Sequence, residues 1–140
     1  MDTEESRDMW TGYTSGMDAV VVQSNWGRLK HALRDAPETV TGRRVEYVDL
    51  DEHRFRGGAL DELVTHKCRS FAGENELRLW VVNPAYSEEE GIFVAVDARS
   101  LMEMVYLSPK ATATHCEEVR KLLAHYGLAG VVVQPSSLAE

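Results

Sequence analysis

Cysteine and proline are scarce in this chain of 140 residues, which holds two of the first and four of the second. Two thiols, Cys68 and Cys116, are too few for a disulfide scaffold. Long hydrophobic runs are missing as well. The longest, over 19–22 and 92–96, fall far short of the roughly 20 apolar residues that span a bilayer. Positive charge is in deficit: Lys plus Arg number 15 against 23 Asp plus Glu, a net charge of −8. That balance argues against general nucleic-acid binding and against anionic membranes, since both are polyanions. The opening MDTEESRD is acidic and polar, unlike a secretion signal. The phosphate-cradling glycine motifs GxGxxG and GxxxxGK[ST] are absent, as are HExxH and GxSxG.

What is present is a globular composition, 44% hydrophobic and 27% charged. The expectation is a single cytoplasmic domain over 1–140, loose at 1–9. A β-branched run over 19–23 reads as a strand buried on both faces. Ser24 then caps a helix bearing Trp26, Leu29 and Leu33. Further strands are expected over 44–48, 76–82, 91–96, 104–107 and 131–133, with 91–96 as the hairpin partner of 76–82. YSEEEG between those two reads as a solvated loop, and WTGYTSG (10–16) as a turn-rich segment. A short helix fits 58–66. In the last helix Thr114 and Glu117 make a capping box, Val119, Leu122, Leu123 and Tyr126 make the apolar stripe, and Gly127 is the stop. The fold class is therefore α+β: three helices packed on a mixed or mostly antiparallel sheet of five to six strands.

The most suggestive stretch for chemistry is KCRSFAGENELR, 67–78. Glu74, Glu76 and Arg78 are spaced by two, which on one strand puts them on one face, about 6.5–7 Å apart. Such a face can accept sugar hydroxyls on its carboxylates and fork a guanidinium onto a phosphate. One glutamate, opposed by its like-charged neighbour, would have a raised pKa suited to a general base. The wet face of a half-buried strand, neutralised by Arg78, accounts for the same spacing and is the more frequent case. Trp10 and Tyr13 offer an aromatic platform for a planar ring, although Trp10 fits a core anchor better. Lys67 and Trp80 complete the candidate binding set. Cys68, between Lys67 and Arg69, has a depressed pKa if those cations act on it. The five histidines are scattered, and Asp49, Asp51, Glu52 and His53 lack the rest of a calcium loop, so no metal site is expected.

Six blocks in order resemble the prokaryotic and phage family known as domain of unknown function twenty-nine seventy-one. They are ESRDMWTGY, AVVVQSNWGRLKHAL, RRVEYVD, KCRSFAGENELR, GIFVAVDARSLMEMVYLSPKA and the closing HYGL…VVVQPSSLAE. The third and fourth are similar to the family's Val-x-Tyr strand and its Lys-x-x-x-Phe-x-x-Glu-x-Glu-x-Arg signature, here Lys67, Phe71, Glu74, Glu76 and Arg78. Family members carry a section before the Trp-x-x-Tyr block that this chain lacks, and Cys68 stands where Arg or Ser is usual. The layout also resembles ADP-ribosyltransferases, with Tyr13-Thr14-Ser15 upstream of a Glu-x-Glu. That resemblance implies NAD as cofactor, Glu76 as the residue that holds the ribose and steadies the oxocarbenium-like transition state, and Glu74 as its helper.

Three functions are consistent with these features. The favoured one is a small acidic protein of phage, mobile-element or defence type that binds a protein partner without catalysis. The second is an ADP-ribosyltransferase-like or nucleotide-binding enzyme using Glu76, Glu74, Arg78 and Tyr13. The third is a homo-oligomer, in the simplest case a homodimer, built on exposed Trp10, Trp26 and Trp80.

Overall fold

The computed structural model describes residues 5–14, 16, 18–55, 57, 60–82 and 92–139. Among them lie α1 (Arg7–Tyr13), β1 (Val20–Gln23), α2 (Trp26–Ala32), β2 (Val40–Arg44), β3 (Glu46–Val48), α3 (Leu60–Thr65), β4 (His66–Cys68), a 3₁₀ helix (Arg69–Glu74), β5 (Leu77–Val81), α4 (Ala98–Leu101), β6 (Met104–Leu107), α5 (Ala113–His125) and β7 (Val132–Pro135). The class is α+β, with strands paired in both senses. The strands do not form one sheet of five or six. They form a three-stranded sheet and two two-stranded ones. Three more helical segments than expected also appear. The described residues gather into two compact units, Glu38–Ile92 and, separately, Glu4–Pro37 with Phe93–Glu140.

In the second unit β6 lies at the centre of the order β1-β6-β7, antiparallel to β1 and parallel to β7. Val105 and Leu107, two apart and so on one face of β6, meet Val133 from β7 and Leu123 from α5. Cys116 and Val119 pack against that cluster from α5. The helix stripe is thus 116, 119 and 123, whereas Leu122 and Tyr126, expected inside, are exposed. The N-cap also differs from expectation. Thr112 accepts from the His115 N–H and His115 Nδ1 accepts from the Thr112 N–H, a capping box two residues before Thr114. Gly127 does stop the helix: at φ +73 it turns the chain so that Leu128 N–H reaches Leu123 C=O at 2.7 Å.

The first four residues of the segment read as turns, 10–13, are the end of α1, which is capped by Ser6, whose hydroxyl accepts from Met9 N–H. Glu5 is tied down as well, accepting from the Ser137 N–H and hydroxyl at 2.6 Å each. Residues 1–4 lie outside the described residues. Asn25, one residue after the expected Ser24, caps α2. Strand β1 is where the sequence put it, but it lies at a sheet edge with all four residues exposed, so it is not buried on both faces.

In the first unit β2 and β5 pair antiparallel, Arg44 opposite Leu77, while β3 and β4 pair in parallel, Glu46 opposite His66. Buried Val45 separates β2 from β3, and its N–H donates to Glu76 C=O at 2.9 Å. The partner of β5 is thus β2. Residues 92–96 form no strand, Gly91 and YSEEEG lie outside the described residues, and the expected hairpin is replaced. The short helix appears as α3, its expected start at 58–59 also lying outside them. Among the described residues no helix is long and apolar enough to cross a membrane.

Candidate functional site

Four of the residues singled out in the sequence meet in the first unit. Lys67 comes from β4, Glu74 from the end of the 3₁₀ helix, Glu76 from just before β5 and Arg78 from within it. Glu74 is not on the strand. Asn75 adopts a left-handed conformation, φ +47, and re-aims the chain between the two acids. Equal spacing along one strand therefore does not join the pair; Lys67 does. Its ammonium donates to Glu74 Oε2 and, at 3.2 Å, to Glu76 Oε2, and it lies 4.9 Å from the centre of the Phe71 ring. Arg78 forks onto Glu76, Nε to Oε1 at 2.6 Å and Nη2 to Oε2 at 3.3 Å, and its Nη1 donates to Val64 C=O at 2.7 Å. Tyr47 holds the backbone at this point, its hydroxyl accepting from Glu76 N–H at 2.8 Å.

Two cations balance two carboxylates here, and both Glu76 oxygens are engaged. The hydrogen bond from Arg78 holds the Glu76 carboxyl below its ordinary value, with help from Lys67 against the burial that opposes it. The expected raised pKa is therefore corrected for Glu76: a forked guanidinium outweighs repulsion from a second carboxylate that Lys67 already screens. Hydrogen bonds to Glu74, and secondarily Glu76, raise the Lys67 ammonium. Glu76 stays ionised, a state suited to electrostatic stabilisation and unsuited to a general base near neutrality.

The remaining candidates lie elsewhere. Tyr13 ends α1 in the second unit and is 64% exposed. Trp10, on the same helix, is 6% exposed and donates Nε1–H to Glu5 Oε1, so it anchors the N-terminal arm and does not present a free platform. Its buried ring also removes it from the expected aromatic homodimer face. Trp26 is partly exposed beneath Lys30, and Trp80 on β5 is half-buried. Ser15, part of the aromatic-Thr-Ser element, lies outside the described residues. The Cys68 thiol is lowered, but the cause is Ser70, whose hydroxyl donates to Sγ at 3.2 Å, and not the flanking Lys67 and Arg69.

Sequence reasoning missed a second cluster in the first unit. His53, Glu62 and His66 each bring one ligand-type atom within 4.8 Å of the others. Parallel pairing of β3 with β4 brings His53, in the loop after β3, against His66, thirteen positions on, and Glu62 of α3. The one signal in the sequence was Glu62-x-x-x-His66, an i,i+4 pair across a helix end. The second unit has its own tie, His115 Nε2 to Asp18 Oδ1 at 2.7 Å, beside a hollow of about 300 Å³ lined also by Val20, Leu107 and Glu118. No family model matches the chain, and no curated protein or solved structure is similar to it.

Proposed function

We propose that this chain is a cytoplasmic, non-catalytic protein that acts by binding a protein partner along the open edge of β1. The observation that carries the reading is the edge itself. Val20, Val21 and Val22 are 42%, 43% and 43% exposed, and among the described strands β1 pairs only with β6. Edge strands are usually guarded by Lys, Pro or a bulge. The opposite edge ends in Pro135, whereas β1 reads VVVQ with no guard. Such an edge takes an added strand, main-chain hydrogen bonds giving affinity and alternate side chains giving specificity. The net charge of −8 selects an extended segment flanked by Lys and Arg, and it speeds the encounter. The resemblance to domain of unknown function twenty-nine seventy-one points to a phage, mobile-element or defence setting.

A second reading is favoured by one feature: Glu76 is ionised, the state in which an ADP-ribosyltransferase-like site would hold the ribose of NAD. Against it, a ribose hydroxyl would have to displace Arg78 or Lys67 from that carboxylate.

Affinity capture from host lysate, with Val21→Lys and Glu76→Gln beside the native chain and with light scattering of each, separates the readings. The expected result is one basic protein retained by the native chain and by Glu76→Gln, released by salt and lost with Val21→Lys while the melting temperature is unchanged. Equal capture by Val21→Lys rules out the edge. A native dimer that Val21→Lys converts to monomer makes a second copy the occupant. Thermal stabilisation by millimolar NAD that Glu76→Gln abolishes favours the enzyme.

A further inference from the structure

The first unit is poorly provided with a core. Of the seven buried hydrophobic side chains among the described residues, only Val45 belongs to it. Units of this size with so little buried apolar surface commonly rely on disulfides or a structural metal. Both cysteines of the chain are free.

We propose that His53, Glu62 and His66 form a binding site for a divalent transition-metal ion of the zinc type, which staples this unit. His66 is already set up as a ligand. Its Nδ1 lies 2.6 Å from Glu62 C=O, a contact that requires Nδ1 to carry the proton and leaves Nε2 bare for a metal. A backbone carbonyl on the far nitrogen is the usual outer partner of a metal-bound histidine. His53 supplies the second nitrogen. Its Nε2 is buried without a hydrogen-bond partner and lies 3.9 Å from Glu62 Oε1. That separation is too long for a hydrogen bond and leaves a desolvated nitrogen unsatisfied. A metal ion satisfies it.

The donor set selects the metal. Ligands at about 2.0–2.1 Å in a tetrahedron stand roughly 3.4 Å apart, so the His53–Glu62 pair, 3.9 Å apart, closes slightly on an ion, and two nitrogens with one carboxylate oxygen are a zinc-type set. Two imidazoles also disfavour calcium and magnesium, which prefer oxygen. The imidazoles are 4.7 Å apart between ring centres, and Phe55 packs edge-on to both. The fourth position falls to water or to Glu46, which pairs with His66 across the β3–β4 register and has Oε2 3.6 Å from His66 Nε2.

The test is titration of the chelator-stripped full chain with zinc by calorimetry and with cobalt(II) by visible absorption, on the native chain, His53→Ala, Glu62→Gln and, as a control, His125→Ala. Expected are one equivalent bound, the strong visible bands of tetrahedral cobalt, and a zinc-dependent rise in melting temperature. Loss of an outer partner alone costs about 10–100-fold in metal affinity, so each ligand variant should lose at least that, with His125→Ala unchanged. Both ligand variants should melt in chelator as the native chain does in chelator, and neither should gain from zinc. No binding, weak octahedral cobalt bands, or equal binding by Glu62→Gln and His53→Ala would each overturn the proposal. Should His53→Ala fail to fold, Glu62→Gln, which keeps the side chain's shape, carries the decision.

Discussion

Glu76 concentrates what single residues contribute to this fold. Its carboxylate receives three donor groups, from Arg78 twice and Lys67 once, and its backbone N–H reaches Tyr47. Because its folded pKa lies below the ordinary glutamate value of 4.5, the ionised form favours the folded state. That contribution is whole above 4.5 and is lost as the pH falls through the folded value. The native melting temperature should therefore fall more steeply on acidification from about pH 5 to about pH 3 than that of Glu76→Gln, as followed by circular dichroism. Parallel slopes would mean that the network does not couple to folding. The sequence named Glu74, Glu76 and Arg78 by spacing and Lys67 as a binding candidate, and all four do meet. Spacing could not reveal that Glu74 leaves the strand through left-handed Asn75, or that Lys67 is the hub. Both depend on how β4 and the 3₁₀ helix turn back on β5. His53 was illegible for the same reason, since a contact closed by strand pairing leaves no local period; only Glu62, four residues before His66, left a trace in the sequence.

At the scale of elements, what was readable followed from local rules, and what was misread followed from partners distant in the chain. The β-branched or apolar runs at Val20–Gln23, Leu77–Val81 and Met104–Leu107 became strands because their side chains suit a pleated surface. Helix α1 escaped notice because Thr11, Gly12 and Thr14 look like turn chemistry. Ser6 as cap and buried Trp10 as anchor overrule that preference. The start of α5 gives a sharp comparison. Two threonines two residues apart both fit the sequence rule for a cap, and only Thr112 has the extended backbone of one. Its partner at the third helical position is His115, whose Nδ1 accepts from the cap while Nε2–H faces Asp18. Thr112→Ala should cost about 1 kcal/mol in chemical denaturation, and Thr114→Ala, on the exposed face of the helix, less than about 0.5 kcal/mol. The reverse ranking would move the cap back to where the sequence alone suggested it.

Across the whole molecule the two units differ in how their strands are protected, and this difference is open to measurement. Strand β6 is bonded on both sides, by β1 and by β7, and it supplies Val105 and Leu107, 2% and 3% exposed, to the one cluster of buried core residues found among the described residues. Opening β6 means breaking two ladders and wetting that cluster at once. In the other unit every described strand pairs on one side only, β2 with β5 and β3 with β4. Two-stranded ladders are marginal on their own, and here little buried apolar surface supports them. Local opening free energies should therefore separate. By native-state hydrogen exchange, the amides of Val105 and Leu107 should exchange most slowly, those along Val40–Arg44 and Leu77–Val81 markedly faster, with the faster class insensitive to Leu107→Ala. That substitution, which leaves a cavity costing about 2–5 kcal/mol, should speed exchange in the three-stranded sheet alone if the units open independently. Uniform acceleration throughout the chain would instead mean that both units open in one cooperative step, with the core around β6 supporting strands it does not contribute to.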